Sequence, residues 1–190
     1  MRHFTPFHLA AALVLGLAAC GPVPPGASLP RDAVEGSGDP TRSTILRSAY
    51  LFNNTALLAG QPAEAARAVA GMEYLAAEIP AGPRWFEFQP QVTFELQRAR
   101  AEWRQALGIS PEALPQPVVD SLYAVARGGG AEALPQAIYP QPATTLARLT
   151  TLPPLPRTAL AAAETQQELN RVDFLGRTSP GGDSAGGRGQ

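Results

Sequence analysis

The reactive side chains of this 190-residue chain are few, and their placement limits its chemistry before any fold is considered. It holds one cysteine, Cys20, two histidines, His3 and His8, and no lysine, so all 15 basic residues are arginines. Cysteine and both histidines fall within the first 20 residues. Beyond them a Ser-His-Asp or Cys-His triad and a histidine metal site have no residues to be built from. A Schiff-base or phosphate-loop lysine is equally excluded, and no glycine-rich dinucleotide loop follows a strand-like run. No metal and no cofactor is called for. What remains for catalysis is a carboxylate. Glu87, within Trp85-Phe86-Glu87-Phe88, has the aromatic neighbours that can desolvate a carboxyl and stack on sugar rings, as glycan cleavage requires. The competing reading makes Pro83 to Pro90 a loop between helices whose aromatics cap a core, and no catalytic residue is assigned.

The second group with chemical potential is Arg98, Arg100 and Arg104, around Trp103. Arg98 and Glu102 are spaced as an i,i+4 pair, a weak contributor on a helix surface. Arg100 and Arg104 share a helix face and form a candidate contact for an anionic lipid headgroup or a partner's carboxylate; the alternative is a solvated face. Asn53-Asn54 sits within an apolar helical run, where asparagine is a poor helix former, and is read as structural. With 16 acidic residues and a net charge of −1, the chain is no polycationic nucleic-acid binder.

These residues must be positioned by helices. Asp39-Pro40 reads as a cap followed by proline at the first helical position, and apolar residues then recur at helical spacing until Gly60. Gln61-Pro62 restarts a second helix with the stripe Ala65, Val69, Met72, Ala76 and Ile79, ended by Pro80. Val92, Leu96, Ala99, Trp103 and Ala106 mark a third, closed by Gly108. Pro117 to Arg127 makes a fourth, stopped by Gly128-Gly129-Gly130, and an Ala/Gln-rich stretch from Thr158 to Asp173 a last one. No strand series is apparent. The spacing therefore predicts an all-α fold: a small helical bundle or helix-hairpin array of about five helices joined by short turns.

The turn Gly60-Gln61-Pro62-Ala63-Glu64-Ala65 resembles that of a tetratricopeptide repeat. Only one helix pair shows it, its first helix lacks the family's large residue and glycine, and an array would repeat near 34 residues at least three times. It is read as a helical hairpin. Glu112-Ala113-Leu114-Pro115-Gln116 recurs as Glu132-Ala133-Leu134-Pro135-Gln136, which predicts a turn of helix broken by proline, used twice.

Glycine (18) and proline (20) are abundant enough to predict that part of the chain does not pack. Residues 20–39 carry almost no apolar periodicity and are expected to form a flexible tether reaching roughly 25 Å. Residues 176–190, rich in Gly and Ser, are expected to form a disordered tail, leaving 40–175 as one helical domain.

At the start, a short basic segment precedes the apolar run Leu9 to Ala19, which is too short to span a membrane and laid out as a secretory signal. Its end, Leu17-Ala18-Ala19-Cys20, resembles the lipobox of bacterial lipoproteins. The resemblance covers residues 1–20. It implies cleavage between Ala19 and Cys20, lipidation of the Cys20 thiol, and anchoring of residues 20–190 by acyl chains; each buried methylene contributes about 0.8 kcal/mol, and two chains give stable attachment. Gly21, where such lipoproteins carry Asp when retained in the inner membrane, implies the outer membrane, facing the periplasm. The expected function is a non-enzymatic interaction or scaffold domain with an envelope protein partner and no nucleic acid. The alternatives are a carboxylate enzyme acting on cell-wall glycan and a carrier of lipid or another apolar ligand.

Overall fold

A computed structural model describes residues 26–33 and 38–178; residues 1–19, read from the sequence as a signal segment, the Ala19–Cys20 junction and the chain after residue 178 lie outside them. Proline punctuates the fold. Six α-helices are present among the described residues, and each opens on one: α1 Pro40–Asn53, α2 Pro62–Ala81, α3 Pro90–Leu107, α4 Pro115–Ala126, α5 Pro142–Thr150 and α6 Pro156–Thr178. Proline suits this position because its missing N–H would be unpaired there in any residue, and its fixed φ is already helical. The described residues contain no strand, so the all-α expectation holds, with one helix more than the periodicity implies.

Helix α2 is the axis of the body. It packs against α1, α3, α4 and α5, while α6 lies across α1 and α3. This placement explains why α2 is buried on nearly all sides, with Ala65, Ala66, Val69, Ala70, Met72, Leu75, Ala76 and Ala77 all shut from solvent. Its many alanines let four helices approach. The one-sided stripe expected for it is therefore too narrow.

Helix α1 is shorter than its apolar pattern implies. It ends at Asn53, and Asn54 closes it with its backbone N–H on Leu51 O at 3.1 Å and its side-chain amide on Tyr50 O at 2.7 Å. A 3-10 turn, Thr55–Leu58, follows. The asparagine pair thus terminates the helix, because an amide side chain competes with the backbone for its carbonyls. Pro80 has the opposite outcome: α2 continues through it to Ala81. Proline leaves the carbonyl four residues earlier, at Ala76, without its N–H, and Gln97 of α3 donates to that oxygen at 2.6 Å.

Gly108 closes α3 as expected. Its φ of +69° is the left-handed cap conformation, and the following N–H, of Ile109, reaches back to Arg104 O at 2.8 Å. Helix α5, nine residues, has no counterpart in the sequence pattern. Threonines and flanking prolines hide it, and it is fixed by tertiary contacts: Thr145 Oγ1 donates to Leu107 O at 2.8 Å, and Leu149 is fully buried. Helix α6 extends beyond the predicted span at both ends. Its first turn is capped from another helix, since Glu102 accepts from Arg157 N at 3.2 Å and from Thr158 N and Oγ1 at 2.8 Å each. Glu102 is therefore not Arg98's partner; Arg98 reaches Glu95 instead.

The recurring Glu-Ala-Leu-Pro-Gln segments fold differently. In the first, Leu114 is the exposed residue before α4, which starts at Pro115. In the second, Leu134 is buried after a 3-10 turn, and the Pro135 carbonyl accepts from Ile138 N and Tyr139 N. The echo is one of sequence.

Part of the stretch read as tether is held on the body. Ala27, Leu29 and Ala33 pack against the core. Gln116 grips Ser28 by accepting from its N–H at 2.7 Å and donating to its carbonyl at 3.1 Å, and Arg127 forks onto both oxygens of Asp32. Polar composition predicts free chain here, but a few specific contacts from α4 and its C-terminal cap are enough to order the segment.

Candidate functional site

The only fully buried carboxylate among the described residues is Glu73, in the middle of α2, and the arginines singled out on α3 converge on it. Arg100 donates to Glu73 Oε1 through Nε at 2.9 Å and Nη2 at 2.6 Å. Arg104 donates to Oε1 through Nη2 at 2.5 Å and to Oε2 through Nε at 3.2 Å. Trp103 Nε1 completes the set on Oε2 at 2.9 Å. Positions 100, 103 and 104 share one helix face, which α3 turns toward α2.

Arg104 has no donor to spare. Its Nη1 donates to Ser110 O at 3.1 Å and Pro111 O at 2.9 Å, and its Nη2 also reaches Ala113 O at 2.9 Å. All five guanidinium N–H groups are thereby used, tying the loop after α3 to the core. Arg100 differs: it spends only Nε and Nη2 on Glu73. Burial by itself would push the Glu73 carboxyl up, but the Arg104 hydrogen bonds and the charges of Arg100 and Arg104 outweigh it and hold the group below the usual glutamate range. Glu73 is a fixed anion, and two guanidinium groups on one carboxylate leave one positive charge in surplus.

That surplus lies beside a groove of about 430 Å³ on the outer side of α3, lined by Gln97, Arg100, Ala101, Arg104, Gln105 and Ile109. The sequence expectation for Arg100 and Arg104 is corrected accordingly. They are no solvated face, and the carboxylate they grip belongs to their own chain. Of the two, only Arg100 keeps N–H groups without an acceptor among the described residues. Glu73 itself carries little signal in the sequence. What signal there is lies in an acid inside the alanine-rich stretch Ala65–Ala77, one that no helix surface needs.

Glu87 is placed otherwise than its aromatic neighbours suggest. Trp85 and Phe88 turn inward, packed edge to face with ring centroids 5.1 Å apart. Phe86 points outward and Glu87 is exposed. The desolvation on which a catalytic role rests is absent, and Glu87 contributes its backbone carbonyl, which accepts from Arg171 at 2.6 Å. Asn53 and Asn54 are exposed at the end of α1 and line no site. Among the described residues no cluster of metal-ligating side chains occurs. Cys20 and Ala19 lie outside the described residues.

Comparison with known proteins adds no relative: no family model, no curated protein and no solved structure matches the chain.

Proposed function

We propose that this chain is a bacterial envelope lipoprotein, anchored through acyl chains on Cys20 to the periplasmic face of the outer membrane, whose helical domain is a non-enzymatic interaction module. The observation that carries this reading is the chain's sole cysteine standing directly after the small residues that end an 11-residue apolar run. No helix of the described residues is long and apolar enough to cross a membrane. Several large apolar side chains face outward, with Phe86 at 80% and Phe94 at 63% exposure, and Tyr50 and Leu46 of α1 are exposed as well. The module reading assigns Phe86 and Phe94 to contact with a partner and gives that partner's acidic side chain the cation of the Arg100 groove. The buried ionisable groups support binding over catalysis, since Glu73 is held ionised by three donors' side chains rather than poised near neutrality.

Mass spectrometry of the intact protein from envelopes tests the anchor: an acylated N-terminus at Cys20 is expected, lost in Cys20→Ala. An unmodified chain beginning at Met1 in the envelope fraction would overturn it. Affinity purification from mildly solubilised envelopes then tests the module. A stoichiometric envelope protein is expected, released by the double substitution Phe86→Ser, Phe94→Ser; retained muropeptide with no protein would move the assignment to a wall-acting domain.

A further inference from the structure

On the opposite side of α2 from the α3 contact, a second pocket of about 380 Å³ opens between α1, α2 and α4, with Ala33 of the docked segment as one wall. Its character is set by a buried guanidinium that has nothing to donate to. Arg67 of α2 lines it, and Arg67 Nε is buried with no hydrogen-bond partner. Among the described residues Arg67 makes no ion pair, whereas Arg42, Arg47, Arg84, Arg100, Arg104 and Arg127 each hold a carboxylate from elsewhere in the chain. Ser43 and Ser48 from α1 and Tyr123 from α4 bring their hydroxyl-bearing side chains to the lining of the same pocket, and Arg67 Nε is its one buried polar side-chain atom left without a partner among the described residues. Ser48 is 2% and Tyr123 3% exposed. A buried donor without an acceptor is destabilising by about 1–3 kcal/mol. That idle guanidinium N–H, with three hydroxyl-bearing side chains around the same space, is explained by a ligand that brings acceptors.

The charge balance agrees. Arg47 and Arg67 face one carboxylate, Glu64, which Arg47 already pairs at the exposed rim. Asp32, close enough to feel the charge of Arg67, is held through both oxygens by Arg127. One positive charge is therefore open to the pocket. The floor is bare backbone: a Cβ on Gly71 would stand 3.0 Å from Thr44 Cγ2 and 3.4 Å from Ser48 Oγ. Glycine in mid-helix lowers helix stability by about 1 kcal/mol relative to alanine, and here it lets α1 cross closely and keeps the space beside Ser48 open.

We infer that this pocket binds a phosphate-bearing group carried on a small polar molecule. A guanidinium and three hydroxyls supplied from three helices surround the space from different sides, which suits a tetrahedral oxyanion; a planar carboxylate would leave some of them idle. A volume of 380 Å³ falls in the range of small-molecule sites and exceeds what a bare phosphate fills. The same chemistry is found on a soluble phosphate ester and on a phospholipid headgroup. The inference does not depend on the lipid anchor or on the interaction module.

Calorimetric titration of the full chain with inorganic phosphate, glycerol phosphate and acetate, and co-sedimentation with phosphatidylcholine vesicles with or without phosphatidylglycerol, test it. Glycerol phosphate is expected to bind more tightly than inorganic phosphate, with acetate weakest. Arg67→Gln is expected to weaken binding at least tenfold without lowering the melting temperature of the ligand-free protein, because it removes an unsatisfied donor; a purely structural arginine would show the reverse. Tyr123→Phe, a second variant that preserves packing, is expected to weaken binding several-fold. Binding of the soluble ester identifies a metabolite site. Binding to phosphatidylglycerol vesicles alone, abolished by Arg67→Gln, identifies a headgroup site. No binding by any phosphate probe, equal affinity for acetate, or affinity unchanged in both variants would overturn the inference.

Discussion

Replacing Glu73 by glutamine tests whether the buried cluster at the α2–α3 contact holds the two helices together. The substitution keeps the side chain's length and branching but removes its charge. Five hydrogen bonds now converge on the carboxylate, two from Arg100, two from Arg104 and one from Trp103. An amide offers one acceptor oxygen, and its NH2 must face donors that cannot accept. Arg104 cannot retreat to water, because its fork is pinned by the carbonyls of Ser110, Pro111 and Ala113. Breaking a buried pair by removing one partner is destabilising by about 3–5 kcal/mol. For a domain of this size that corresponds to a fall in melting temperature of roughly 6–20 °C. The assay is urea and thermal unfolding followed by circular dichroism at several pH values. The Glu73 carboxyl is held below its ordinary value of 4.5 when folded, so its contribution is complete above that value and is lost as pH falls through the folded one. The gap between wild type and Glu73→Gln should therefore be constant from pH 7 to about 5 and shrink in stronger acid. Arg104→Gln should be more damaging than Arg100→Gln, since Arg104 also anchors three backbone carbonyls. A loss below about 1 kcal/mol at pH 7, or a gap that widens on acidification, would refute the reasoning.

Other perturbations reach other links of the fold. Asp39→Ala removes the carboxylate that caps α1 through Thr41 N at 3.0 Å and Arg42 N at 3.3 Å, and a loss of about 1 kcal/mol is expected in denaturant unfolding. Gly108→Ala forces a Cβ onto a left-handed residue at φ +69°, with an expected loss of about 1–2 kcal/mol; a neutral result would mean the cap rearranges. The pair Gln116→Ala, Arg127→Ala should free residues 26–33, giving faster proteolytic cleavage at Arg31. The unfolding midpoint of the helical body should move little, because both side chains hold the segment from the exposed surface of α4 and its cap.

How much is legible in the sequence differs from residue to residue. Asp39-Pro40, Gln61-Pro62 and Gly108 mark their boundaries in plain text because capping and proline geometry act within a few residues. Periodicity alone yields helix as the class and locates the α3 stripe, whose members Val92, Leu96, Ala99 and Trp103 are all buried. Where the same local rules meet distant partners they fail. Pro80 reads as a stop because the residue that relieves it, Gln97, belongs to the next helix. Helix α5 depends on Leu107, and Glu102 looks like half of a surface pair although it caps α6. The arginines at 100 and 104 do form an anion-binding face, and only the packing of α3 on α2 decides that the anion is Glu73.

The sequence by itself determined that this chain is helical, where its first two helices begin, and that its mid-chain chemistry is confined to carboxylates, arginines and hydroxyls. Those are matters of composition and of interactions within one or two helical turns. Tertiary structure alone decided which charges are buried and which are open: Glu73 is enclosed by the arginines of α3, Glu87 is left in water, and Arg67 lines a pocket with no ion-pair partner among the described residues. The physical reason is that burial and pairing depend on which helix faces meet, and a helix with alanine on several sides, as α2 has, does not declare in its own sequence which neighbour each side will receive.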